Sequence, residues 1–293
     1  MRILHLGGFS FTVEAQASAE RRLGHEATCF PAFDTPAIMR ERDWESLAQM
    51  ADSCAADLYF WHILKAAPPK EVIEKFRVRA PQAFILYTES PSSLDFIQEK
   101  DAVFASASPK IALPNSRSIS GWHIPPLLLS NIPRPEPYEP NWGEVRILYV
   151  PYQDSTEEIN FILSTIEKIQ TDGLRLLFAL IRPEDISNLD FLEARLKECD
   201  IFLESLSLRY PGPLSYLAMA YGKTVMSGLS ADARSSFEKF AKSPIIDVTQ
   251  ISFASVLSNI LREPKSLRDL GKRSRQFAES YCNTVHIPCL KVE

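Results

Sequence analysis

Apolar residues in this chain fall into two spacings. Short continuous runs such as "RILHL", "ADLYFWHI" and "QAFILYTES" alternate with longer segments, such as "VEAQASAERRLG" and "PKEVIEKFRVRA", in which apolar positions recur every three or four residues. The runs have the length of buried strands, and the periodic segments read as amphipathic helices. The breakers agree with this division. Gly7-Gly8 end the first run, Gly24 stops the first helix, and Pro69 opens another where a missing N–H costs nothing. The pattern predicts strands within 2–6, 25–33, 56–63, 82–90 and 101–107, with helices within 13–24, 44–51, 69–80 and 92–100.

The alternation then stops. Residues 109–143 hold eight of the 21 prolines. Proline fixes φ and removes a ladder donor, so this stretch is neither helix nor interior strand, and it reads as an interdomain linker. From "VRILYVPY" the alternation restarts, with strands within 145–152, 174–181, 199–205, 223–228 and 244–249. Helices are predicted within 156–170, 188–198, 213–222, 232–243, 251–263 and 264–281. Both halves open with a strand leading into a helix, a duplication of architecture and not of sequence. The expected fold class is α/β, two doubly wound Rossmann-like domains in tandem, residues 1–140 and 144–293. The carboxyl ends of the two parallel sheets are expected to face a shared cleft, since ligands of such sheets bind there. The last helix is expected to cross back to the first domain.

Composition narrows the function classes. The net charge is −5 and the pI about 5.7, and no basic stripe stands out, so a nucleic-acid partner is not expected. The cluster "GKRSRQ" reads as a solvated helix face. Five cysteines, widely spaced and without a C-x-x-C pair, fit reduced thiols in a cytoplasmic protein, and none stands with histidine at zinc-ligand spacing. The apolar start is broken by His5, Gly7, Gly8, Ser10 and Thr12, unlike a secretory leader. No run of 18 apolar residues exists, so no membrane span is expected.

Five segments together resemble the nucleotide-sugar glycosyltransferases of the GT-B fold, in particular the retaining group called family 4. "RILHLGGFSF…AERRLGHEATCF" is similar to the family's opening, and "ADLYFWH" to its third strand. "ILYVPYQDSTEEIN" resembles the start of its second domain, and "LRDLGKRSRQFAESY" its final helix. "CDIFLESLSLRYPGPLSYLAMAYGKTVMSG" resembles its donor-site signature. The chain also departs from that pattern. Arg209 and Leu217 stand where the family has two acids eight residues apart, and the loop "PYQDSTEE" lacks the basic pair that contacts diphosphate. Glu89 stands where a histidine often follows the strand.

Sugar transfer from such a donor builds negative charge on a departing diphosphate, which the site must stabilise. No D-x-D triplet occurs, which favours metal-free stabilisation with no cofactor beyond the nucleotide-diphosphate sugar itself. The turn at Gly212, with Pro213 at the first helical position and the amides of Leu214 and Ser215, can cradle phosphate at a positive helix end. The plain alternative is a helix start that only packs. Arg182 follows a strand and can reach phosphate, or pair with Glu184 or Asp185. Arg209 can hold phosphate or stand exposed. Tyr152 and Gln153 are candidates for lining nucleotide or sugar, and Gly7 and Gly8 for close approach of the first domain's loop. His62, at a strand end, can orient an acceptor hydroxyl or be a satisfied core residue, and Glu89 can act as general base or cap a helix.

The resemblance implies a metal-independent, hexosyltransferase-type enzyme acting on a glycan, lipid or protein acceptor. The missing acids and basic pair support a different reading, an inactive GT-B-shaped protein that supports another glycosyltransferase or pairs with its own copy. A sugar-nucleotide epimerase or phosphorylase on the same architecture is a third reading, although no lysine stands in the context that a pyridoxal-dependent phosphorylase needs.

Overall fold

The structure is a computed structural model. It describes residues 1–7, 10–22, 24–31, 41–63, 68–86, 97, 101–105, 121–122, 144–151, 156–182, 189–207, 211–238 and 244–282. The chain divides into two compact units, Met1–Leu128 with Cys282–Glu293, and Leu129–Tyr281, the division falling inside the proline-rich stretch.

The first unit carries strands β1 (Arg2–Gly7), β2 (Glu26–Phe30), β3 (Leu58–Ile63), β4 (Gln82–Leu86), β5 (Ala102–Ala105) and β6 (Gly121–Trp122). They form one sheet in the order β2-β1-β3-β4-β5-β6, every pairing parallel. Its helices are α1 (Ser10–Arg22), α2 (Glu41–Asp52) and α3 (Lys70–Arg77). All six residues of β3 are buried, as the unbroken apolar run requires of a central strand covered on both faces. Trp44, Trp61, Tyr59, Phe76 and Phe84 build the core around it. On α3 the buried residues are Ile73, Phe76 and Arg77, and the Arg77 guanidinium meets buried Asp101 at 2.5 and 2.6 Å. The two-residue β6 is an edge strand inside the proline-rich stretch, where the sequence pattern shows no strand. The helix expected within 92–100 lies outside the described residues, apart from buried Ile97.

The second unit holds β7 (Val145–Tyr149), β8 (Leu176–Leu180), β9 (Ile201–Leu203), β10 (Thr224–Ser227) and β11 (Ile245–Asp247). Their order is β11-β10-β9-β7-β8, again wholly parallel. The helices are α4 (Thr156–Thr171), α5 (Leu189–Glu198), α6 (Pro213–Ala220), α7 (Ala231–Glu238), α8 (Gln250–Arg262) and α9 (Ser266–Phe277), α9 running on into a π-helical turn (Ala278–Cys282). Every residue of α6 is buried, so this helix belongs to the core and has no solvent face. It packs against α9 at close range. A Cβ on Gly271 of α9 would stand 2.3 Å from the Gly222 carbonyl oxygen, and Gly222 itself has φ 69°.

One expectation is corrected here. "GKRSRQ" is a solvated face only in part: Lys272 and Gln276 are exposed, but Gly271, Ser274 and Arg275 are buried and the Arg275 guanidinium donates to the Ala220 carbonyl at the end of α6. The basic side chain meets the negative end of a helix, which sequence alone does not distinguish from exposure. Among the described residues no helix is long and apolar enough to cross a membrane.

Candidate functional site

In a doubly wound sheet the strand order reverses at one point, and the loops leaving the flanking strands part there to leave a crevice at the carboxyl ends. In the second unit that point lies between β7 and β9, and two buried carboxylates stand beside it. Glu204 follows β9 directly, and its N–H continues the ladder to the Met226 carbonyl at 2.8 Å. Its Oε2 accepts from the Gly212 N–H at 3.2 Å and from the Ser215 hydroxyl at 2.5 Å. Its Oε1 has no hydrogen-bond partner among the described residues. Burial pushes the Glu204 carboxyl up to about 7. The Ser215 and Gly212 bonds oppose this shift, and nearby Glu158 adds to it.

Glu158 stands in the first turn of α4. Its Oε1 accepts from the Tyr149 hydroxyl at 3.0 Å and the Leu206 N–H at 3.2 Å, and its Oε2 from the Ser207 N–H at 3.0 Å. One carboxylate thus ties the loop after β9 to the helix after β7. Burial, then Glu158, raises the Tyr149 phenol.

The helix start at 211–215 is already filled. Gly212 is the N-cap with φ −75° and ψ 172°, an ordinary extended conformation, and Pro213 is the first helical residue. The Gly212 N–H goes to Glu204, and the Ser215 N–H returns to the Gly212 carbonyl at 3.0 Å. Leu214 and Ser215 are buried. The group at this positive end is the chain's own Glu204 carboxyl.

Beside it the loops after β9, β10 and β11 converge on a groove of about 390 Å³, lined by Leu206, Ser207, Gly228, Leu229, Ser230 and Thr249, with Ala231 at the start of α7. Ser230 caps α7 by accepting the Ala233 N–H at 3.1 Å, and Thr249 caps α8 by accepting the Ser252 N–H at 3.3 Å. The Leu229 N–H is fixed by Asp247 at 3.0 Å. The lining sets the Ser207, Ser230 and Thr249 hydroxyls among the apolar Leu206, Leu229 and Ala231.

In the first unit the reversal lies between β1 and β3, where Gly7 pairs with His62. Gly7 has φ 84°, and a Cβ there would meet the His62 carbonyl oxygen and the Trp44 ring at 2.7 Å. His62 is buried and not solitary. Its Nε2 is 3.0 Å from Nδ1 of His5, whose Nε2 is 2.7 Å from Oε2 of Glu20, and Gln16 donates to Glu20 Oε1 at 2.9 Å. All four side chains are buried.

Similar solved structures share this architecture. Sucrose-phosphate synthase from Thermosynechococcus elongatus matches with a TM-score of 0.61 and 13% identity over 97% of this chain and 95% of its own. An α-glucosyltransferase solved with UDP and a 13-mer DNA containing a central A:G mismatch matches with a TM-score of 0.57 and 12% identity, over 96% and 94%. UDP-GlcNAc 2-epimerase from Methanocaldococcus jannaschii, solved with UDP-GlcNAc and UDP, gives 0.50 and 9%, over 88% and 91%. The fold is GT-B-like. No family profile matches the sequence, and no curated protein matches it significantly. At these identities the likeness is one of fold, and the GT-B-like fold serves synthases, transferases and epimerases alike.

The GT-B-like frame gathers only some of the sequence candidates. Gly212 and Ser215 hold Glu204, Pro213 and Leu214 lie between them at the start of α6, and Gly7 stands beside His62. Arg182 is exposed just after β8. Gly8, Glu89, Tyr152, Gln153 and Arg209 lie outside the described residues. Sequence reasoning missed Glu204, Glu158, His5, Glu20 and the groove. A signal existed for three of them, a glutamate ending the apolar run "IFLE", and a histidine inside "RILHL" with a glutamate on the following helix.

Proposed function

We propose that this protein binds a nucleotide-diphosphate sugar at the carboxyl edge of the second unit's sheet and transfers the sugar to a hydroxyl of a glycan, lipid or protein. The convergence of the loops after β9, β10 and β11 on one groove at the carboxyl end of the sheet, with three hydroxyls in its lining, carries this reading. The presence of UDP in two of the similar structures supports it. In this proposal Gly212, Pro213, Leu214 and Ser215 hold the diphosphate end, and Arg182, Arg209, Tyr152 and Gln153 line the nucleotide and sugar. Gly7, Gly8, His62 and Glu89 serve the acceptor side. Glu204 must be neutral for the diphosphate to share the start of α6, since two anions at one helix end repel. A carboxyl pushed up to about 7 can carry that proton near neutrality. The negative charge leaving with the nucleotide is then met by the positive end of α6 and needs no metal. A cytoplasmic setting, with nucleotide sugars at hand, fits this chemistry.

One observation favours the second reading, a GT-B-shaped partner protein without transfer activity: the seat at α6 is filled by the chain's own Glu204. A thermal-shift screen with uridine, guanosine, adenosine and thymidine diphosphates, followed by donor hydrolysis, separates the two. A shift with hydrolysis supports the transferase. A flat response to all four supports the partner protein.

A further inference from the structure

Strand β8 ends the second unit's sheet on one side, and among the described residues no strand pairs with its outer side. The Ile181 N–H, just past the strand, bonds to the Tyr149 carbonyl at 3.0 Å. Alternation then turns the N–H and C=O groups of Leu177 and Ala179 towards β7, and those of Leu176, Phe178 and Leu180 outward. On that outer side the Gln170 amide of α4 reaches the Leu176 carbonyl at 3.2 Å. The side chains are open as well. Leu177 is 48% exposed, Ala179 is exposed, and Phe178 and Leu180 are half-buried. Leu163, 41% exposed, stands seven residues before Gln170 and so shares its stripe of α4, with exposed Glu167 between them. Native sheets guard a free edge with charge, proline or a bulge. The opposite edge strand, β11, ends in Asp247, which holds the Leu229 N–H and Arg234. The edge strand β2 of the first unit begins with Glu26. No such guard stands on β8, where every residue from Leu176 to Ile181 is apolar.

We propose that a second copy of this chain docks on that edge, β8 pairing antiparallel with β8 of the other copy about a two-fold axis at Phe178. A two-fold axis makes one patch meet itself, so the patch must be its own complement. This strand is: leucines at 176 and 180 flank a central phenylalanine, and no charge interrupts them. Phe178 then faces Phe178 of the other copy as a hydrogen-bonded pair, and Leu176 faces Leu180 in the same way. The outward backbone groups of all three residues are thereby satisfied. On the exposed face Leu177 meets Ala179 of the other copy as a non-hydrogen-bonded pair, where side chains come closest. The ends match too. Antiparallel pairing brings the end of one strand to the start of the other, so exposed Arg182 of each copy approaches exposed Asp172 of its neighbour. A parallel neighbour would set Arg182 beside Arg182. Stable dimers bury about 1,200–2,000 Å², more than one short strand supplies, so the α4 stripe with Leu163 must add to the contact and association must depend on concentration. Antiparallel pairing also points the carboxyl edges of the two second-unit sheets in opposite directions, so the groove at each stays clear of the shared strand pair.

Sedimentation velocity of the full chain, loaded from about 1 to 200 μM, brackets a micromolar association. The apparent mass should climb from 33.1 kDa towards twice that value, and a mass constant at 33.1 kDa overturns the proposal. Two variants at exposed positions then test the place and the register. Leu177→Lys/Ala179→Lys sets like charges opposite each other at two symmetric points and should weaken association about 10-fold or more. Leu177→Lys/Ala179→Glu sets opposite charges at the same two points and should recover most of that loss. Matching circular dichroism spectra establish that both variants fold as wild type does. A dimer that survives Leu177→Lys/Ala179→Lys unweakened lies on another surface and overturns the site. Equal weakening by the two variants overturns the antiparallel register about Phe178.

Discussion

The seat at the start of α6 makes a quantitative prediction about pH. Glu204 is wholly buried, and its carboxyl is raised from 4.5 to about 7. A folded-state value above the unfolded one means that the native state binds a proton more tightly than the unfolded chain. Stability from this group is therefore complete below about pH 4.5 and is lost as the pH rises towards 7, after which it is flat. The difference corresponds to roughly 3 kcal/mol. In Glu204→Gln the amide oxygen can still accept from Gly212 and Ser215, and the new NH₂ stands where Oε1 now has no partner among the described residues. An unsatisfied buried donor costs about 1–3 kcal/mol at any pH. At pH 4.5 protonated Glu204 carries an O–H at the same unpartnered place, so the variant should lie within about 1–3 kcal/mol of wild type there, and it should gain roughly 3 kcal/mol on wild type by pH 8. Urea unfolding in parallel at five or six pH values reads this directly. Wild-type and variant curves that stay parallel from pH 4.5 to 8 would refute the reasoning, because they would mean that Glu204 keeps its charge without penalty.

Other positions give further tests. Gly271→Ala raises helix propensity by about 1 kcal/mol on an open helix, but here the Cβ stands 2.3 Å from the Gly222 carbonyl oxygen. The variant should lower the urea midpoint by an amount worth about 1–3 kcal/mol, and a raised midpoint contradicts the close packing of α6 on α9. Gly7→Ala combines a φ of 84° with a 2.7 Å clash on the His62 carbonyl, and a cost of at least about 1–3 kcal/mol is expected by thermal or urea unfolding. Asp101→Ala leaves the buried Arg77 guanidinium without its principal partner and should cost about 3–5 kcal/mol, whereas the apolar double Arg77→Met/Asp101→Leu should recover most of that loss.

The sequence makes the strand and helix order plain because period carries it. The uninterrupted run "LYFWHI" and the amphipathic "KEVIEKFR" each bury what their spacing predicts. It could not show that Arg275 in "GKRSRQ" faces inward, since a buried arginine on a helix end and a solvated one have the same local spacing, and only the Ala220 carbonyl, 55 positions away along the chain, decides between them. The site was legible to a similar degree. Pro213 at the first turn marks α6 from sequence alone, but the fact that Glu204 fills its start depends on a contact eight residues back across a loop. His62 reads as a lone histidine in sequence because its partners His5 and Glu20 are 57 and 42 residues away, brought together by the β1–β3 pairing and by α1 lying over it.

The most direct test of nucleotide-sugar binding at the second unit's carboxyl edge is a crystal structure of the full chain soaked with UDP. The account predicts density for the nucleotide along the loops that carry Glu204 to Ser215 and Gly228 to Ala231. A crystal diffracting well with those loops ordered and no nucleotide there, or with UDP bound only in the first unit, would contradict it.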